Sequence, residues 1–181
     1  MYIAEQLKKK SVAEYLLYMW QVEDTLRAYG LDAEKMAMEY IPQFGLDEAK
    51  SETLKGWYDS LIQMMREEGV TERGHLQVNK NIIILLTDLH AQLLKSSKHP
   101  FYSAAYYKAL PFIVELRAKS VDSQEKNEIE NCFDALYGTM LLRAQKKEVS
   151  AETATAMDNI AKFIGMLSEY YKKDKAGEVE F

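Results

Sequence analysis

Cysteine is nearly absent. Cys132 is the only one in 181 residues, so no disulfide can form within the chain, and a disulfide-stapled scaffold is excluded. Turn formers are scarce as well: 8 glycines and 3 prolines are about half of average usage. An all-β sandwich or barrel needs many more. Long apolar runs are missing. The longest, Tyr15–Trp20, is six residues, against the roughly 20 of a membrane helix. An excess of positive charge is missing too, since 23 Lys and Arg face 28 Asp and Glu for a net charge of −5. Duplex binding needs a dominant cationic face. The small clusters Lys8–Lys10 and Lys172, Lys173, Lys175 read as solvated caps, so neither a nucleic-acid nor a membrane partner is expected. The glycines are isolated, with no phosphate-cradling loop and no Gly-x-Ser-x-Gly elbow. The first residues carry Glu5 and no apolar core, so no secretory leader is expected and the setting reads as cytoplasmic.

What is present is helical. Hydrophobic residues make up 48% and charged residues 28%, a globular balance, and the length suits one domain over 1–181 with a frayed tail from about 174. Val12, Tyr15, Met19, Val22, Leu26 and Tyr29 step by three and four along one helix side. Ser11 with Glu14 reads as a capping box, Gly30 as the stop, and Glu23 with Arg27 as a supporting pair on the wet face. A short helix follows Asp32 and stops before Pro42. Asp47 caps the next, with the stripe Leu54, Trp57, Tyr58, Leu61 and Met65 ending near Gly69.

The segment from about His75 to Lys95 is apolar on two adjoining sides, Val78, Ile82, Leu85, Leu89, Leu93 and Ile83, Leu86, Leu94, and reads as a buried central helix. Pro100 opens the helix after it, and Pro111 predicts a kink or break there. Asp122 with Glu125 suggests another capped start, followed by Ile129, Phe133, Leu136 and Met140. Ser150 caps the last helix, with Met157, Ile160, Ile164, Leu167 and Tyr171. The fold expected is all-α: a compact single-domain bundle of six or seven mostly antiparallel helices.

Few residues carry chemistry. Cys132 shares a side with Ile129 and Leu136 and reads as an inert core thiol. The three histidines are His75, His90 and His99, and no two share helical ligand spacing. The one Glu-x-x-His match, Glu72 to His75, contains Gly74 and sits at a helix entrance, so neither a metal nor another cofactor is expected. His90 lies one turn from Leu86 and Leu94. It is read first as a satisfied core histidine and alternatively as a pocket base, with Asp88 pointing elsewhere. Tyr102 and Tyr106 share a face of the segment His99–Lys108, beside Ala104 and Ala105. That face is either ordinary core or a recognition surface.

The blocks MYIAEQLKKK (1–10), YLLYMWQVED (15–24), GHLQVNKNIIILLTDLH (74–90) and HPFYSAAYYKALPFIVELRAK (99–119) resemble a bacterial family of unknown function. Members are of similar length and match over nearly the whole chain. The resemblance implies one compact helical domain in a bacterial cytoplasm, and no activity.

With 9 Met, 12 Tyr and 6 Phe and no catalytic constellation, the function expected is a non-catalytic interaction protein. It would act through self-association or a protein partner. The alternative is a small-ligand binder or enzyme with a pocket between the central helix and the Tyr-rich helix. Its candidate residues are His90, Tyr102, Tyr106 and His75.

Overall fold

A helix leaves its first amides without acceptors, and at five starts this chain supplies a side-chain acceptor from the residue just before the helix. The structure, a computed structural model, describes residues 2–118 and 125–181. Among them are α1 (Tyr2–Lys10), α2 (Val12–Ala28), the single turn α3 (Ala33–Lys35), α4 (Glu48–Glu67), α5 (Gln77–Lys95), α6 (Pro100–Ala118), α7 (Glu128–Ala144) and α8 (Ala151–Lys175), with no strand. Ser11 Oγ accepts the Glu14 amide at 3.3 Å, although Glu14 itself turns to Lys10, so only half of the capping box forms. Asp32 accepts from Glu34 and Lys35 at 2.9 and 3.0 Å. Asp47 accepts from Lys50 at 2.9 Å, and Ser150 from Thr153 at 3.1 Å. The expected start at Asp122 lies outside the described residues; α7 begins on Asn127, which accepts the Glu130 amide at 2.8 Å.

Two short stretches differ from expectation. Residues 2–10 form a helix that packs on α2. Past Lys35 the short helix widens into a π turn over Met36–Tyr40 and tightens into a 3₁₀ turn over Ile41–Phe44. Pro42 is accommodated because it enters in the first positions of that last turn, where its missing amide is not needed.

Buried side chains from every helix except α3 join one hydrophobic core cluster. Two helices share its centre. α5 and α8 touch each other, and each also touches α2, α6 and α7. α5 is not buried around its girth as expected. Asn79, Ile82, Ile83, Leu86, Leu89, His90 and Leu93 face inward, while Val78, Ile84 and Leu85 on the far side are exposed. The partners lie on one side only, so Val78 and Leu85 of the first apolar row meet water while Ile83 and Leu86 of the second are buried.

α6 runs unbroken through Pro111. Pro111 is exposed, as is Tyr107 four residues earlier, whose carbonyl loses its helical partner. That carbonyl lies on the solvent side, where water can replace the missing amide, so the expected break does not occur. Beyond Lys175 the chain turns at Gly177, Val179 packs against the core, and His99 Nε2 donates to the Glu180 carbonyl at 3.0 Å.

Candidate functional site

α5 has no cap of its own. Leu76, which precedes it, offers no polar side chain, so carboxylates from elsewhere take the first amides. Glu23 Oε1 accepts the Leu76 amide at 3.0 Å, and Glu68 Oε2 accepts the Gln77 amide at 2.6 Å. Glu23 comes from the middle of α2 and is fully buried. Its Oε1 also accepts Asn79 Nδ2 at 2.7 Å, and its Oε2 accepts His75 Nδ1–H at 2.6 Å. A buried carboxylate is costly unless its oxygens are satisfied, and here three donors satisfy it. The expected Glu23–Arg27 pair on the wet face is therefore wrong. Arg27 Nη1 reaches Asp24 at 2.7 Å, and Glu23 points inward. The signal was legible: Leu16, Met19, Glu23 and Leu26 step by three, four and three, placing Glu23 in an apolar row.

The loop before α5 is tied down from the same helix. Arg27 donates to the carbonyls of Val70, at 3.1 Å from Nη2, and of Gly74. Gly74 has φ 88°, a left-handed turn that favours glycine and delivers the chain to His75. The His75 ring then lies flat on Trp20, with centroids 3.9 Å apart and planes 10° apart. Phe133 and Tyr137 meet Trp20 edge-on at 6.0 and 5.7 Å. Tyr137 Oη donates to Asp24 at 2.6 Å, and burial together with that bond pushes its pKa well up. His75 and Trp20 form part of the wall of a pocket of about 210 Å³, with Gln77, Lys80, Ile83, Ile84, Asn127 and Glu130. Three buried side-chain polar atoms have no partner among the described residues, Trp20 Nε1 and Asn79 Oδ1 at this site and Asp59 Oδ1 in α4. Asn79 must turn its amide nitrogen to the carboxylate, which leaves its oxygen without a donor.

The other candidates meet elsewhere. His90, Tyr102 and Tyr106 are all buried and converge on Phe163 of α8. Their ring centroids stand 5.4, 5.8 and 5.5 Å from that of Phe163. His90 Nδ1 and Tyr102 Oη share a hydrogen bond of 2.6 Å, and Tyr106 Oη donates to Glu128 at 2.8 Å. Burial lowers the His90 pKa, with Glu128 opposing it, and burial raises both tyrosines. A neutral imidazole held by a neutral phenol is the satisfied core arrangement. Cys132 is fully buried, and its thiol is pushed well above its usual range by burial and by Glu128. His75 is in a separate place from His90, and His99 meets Tyr170 edge-on just before the start of α6. No group of three His, Cys, Asp or Glu suited to a metal occurs among the described residues.

Sequence reading missed a groove on the outer side of α6. It holds about 660 Å³ and runs between α6 and α8. Phe101, Met166 and Tyr170 line it, with Ala105 and Gly165 among them and Lys108, Lys162 and Lys173 also in the wall. Phe101 is 81% exposed. A side chain added at Gly165 would meet nothing. The face alongside carries a second exposed row, Ala104, Tyr107, Pro111 and Val114, stepping by three, four and three.

No helix among the described residues is long and apolar enough to cross a membrane. No curated protein and no solved structure matches the chain. One family model does, over residues 1–178, and the chain belongs to that family, described as a domain of unknown function (DUF4924).

Proposed function

We propose that this chain is a non-catalytic helical interaction protein that takes an amphipathic helix of a protein partner into the groove between α6 and α8. The observation that carries the reading is the groove itself. Phe101 projects into solvent at 81% exposure beside the small residues Ala105 and Gly165. Exposed aromatic surface of this size raises the free energy of the isolated chain, and a covering partner relieves it. Small residues let a helix backbone approach, while aromatic and methionine side chains receive apolar anchors repeating at three and four positions. Lys162 is paired with Asp158 at 2.6 Å, and Lys108 and Lys173 face the single carboxylate of Glu169 in the wall, so the partner helix carries acidic residues beside its apolar stripe. The setting we infer is a bacterial cytoplasm. The unpaired thiol of Cys132 and the resemblance to a bacterial family support that part.

Selection of displayed helical peptides against the full chain tests the reading. Enriched sequences should share apolar positions at i, i+3 or i+4 and i+7, flanked by Asp and Glu, and should lose binding to Gly165→Leu. That substitution fills the groove where there is open space, so the variant still folds. Selection without such enrichment, or binding that ignores Gly165→Leu, overturns it. Sedimentation across a wide concentration range separates partner docking from self-association.

A further inference from the structure

We propose that the pocket formed by Trp20, His75 and Lys80 is a binding site for a small carboxylate bearing a neighbouring hydroxyl or amino group. The polar lining is arranged by the fold rather than being loose surface. Glu23 is fully buried and takes the proton-bearing Nδ1 of His75, because a carboxylate accepts and cannot donate. In the neutral ring the opposite nitrogen, Nε2, presents a lone pair on the outer edge of a side chain that is 23% exposed. The ring cannot swing. Trp20 lies flat against it, and the preceding carbonyl of Gly74 is held by Arg27.

The second observation is independent of the histidine. Trp20 is 2% exposed, and its Nε1–H has no acceptor among the described residues. A buried N–H without a partner is a standing penalty, which an acceptor removes once the pocket wall gives enough for it to reach the indole. The third is charge. Lys80 and Glu130 lie in the same pocket wall, neither with an ion-pair partner among the described residues. Ile83 and Ile84 supply an apolar side.

A ligand that answers all of these has a carboxylate for Lys80 and the indole N–H, and a protic group for His75 Nε2. A hydroxyl or an amine on the adjacent carbon meets that demand within a pocket of about 210 Å³. An amine would also be met by the carboxylate of Glu130, which a hydroxyl would not need. This site lies apart from the α6–α8 groove, and neither reading depends on the other.

The test is titration of the full chain with L-lactate, L-serine and acetate. It is followed by isothermal calorimetry and by the imidazole ¹⁵N signals of His75. Lactate or serine should bind saturably, with serine the tighter if Glu130 takes part. Acetate, which lacks the protic group, should bind about two- to tenfold more weakly than lactate, as loss of one neutral hydrogen bond implies. The Nε2 signal should move on binding. Lys80→Met, at an exposed position, should leave the melting temperature unchanged and weaken binding by about tenfold or more. His75→Gln keeps a donor for Glu23 and loses the ring acceptor, so it should fold and fail to bind. Gly165→Leu should bind as the unaltered chain does. Absence of saturable binding by either acid, equal affinity for acetate, an unmoved Nε2 signal, or binding indifferent to Lys80→Met would each overturn the proposal.

Discussion

Replacing Glu23 with Ala removes one acceptor from three donors at once: His75 Nδ1 at 2.6 Å, Leu76 N at 3.0 Å and Asn79 Nδ2 at 2.7 Å. Leu76 and Asn79 are fully buried, so water cannot take over. Each stranded donor costs about 1–3 kcal/mol. His75 is partly exposed, so water can reach its stranded donor at less cost. The sum, about 4 kcal/mol, agrees with the roughly 3–5 kcal/mol for breaking a buried charged pair. For a chain of this length that lowers the melting temperature by about 8–16 °C. Glu23→Gln keeps the shape and one acceptor oxygen, so its loss should be at most about half as large. Urea unfolding followed by far-ultraviolet circular dichroism gives both values. Tryptophan emission reports the local change, because Trp20 stacks on His75. A loss under about 1 kcal/mol for Glu23→Ala would refute the claim that this carboxylate caps α5. Equal losses for Ala and Gln would refute the role given to the remaining acceptor oxygen.

Cys132 should react with a disulfide reagent only as fast as the chain opens, since its thiol is buried and its pKa raised; immediate stoichiometric labelling of the native protein would contradict this. His90 holds a lowered pKa, so below about pH 6.5 the unfolded chain takes up a proton that the folded chain resists. Its contribution to stability is therefore present above that pH and lost on acidification. His90→Gln should show a shallower fall in stability from about pH 6.5 to 5, and an identical slope would place a charged His90 in the core. Pro111→Ala restores an amide on the exposed side of α6 and should stabilise the chain by about 1–3 kcal/mol. Calorimetry would show this as a higher melting temperature, and a lower one would mean that the proline shape is needed.

Helices were legible because their determinants are local. Asp32, Asp47 and Ser150 cap where short-range rules place them, and Gly30, with φ 71°, ends α2 as a left-handed residue. The apolar rows of α2, α4 and α8 likewise follow from 3.6 residues per turn. Which apolar row would face inward was not local. In α5 Val78 and Ile82 belong to one apolar row, and only the positions of α2, α6, α7 and α8 decided that Ile82 is buried and Val78 exposed.

The same division runs through the polar residues. Tyr102 and His90 were recognisable as a pair of candidates, 12 positions apart on consecutive helices, and the structure joins them by one hydrogen bond in the core. Glu23 and His75 are 52 positions apart, and Phe101 and Gly165 are further still, so nothing in either neighbourhood announces the other. The sequence by itself determined an all-helical chain, because capping and apolar periodicity act within a few residues. Only the tertiary structure decided that a carboxylate in the middle of α2 would cap α5, and that α6 and α8 would leave a groove between them. Burial and charge pairing depend on which surfaces meet in space, not on which residues are neighbours in the chain.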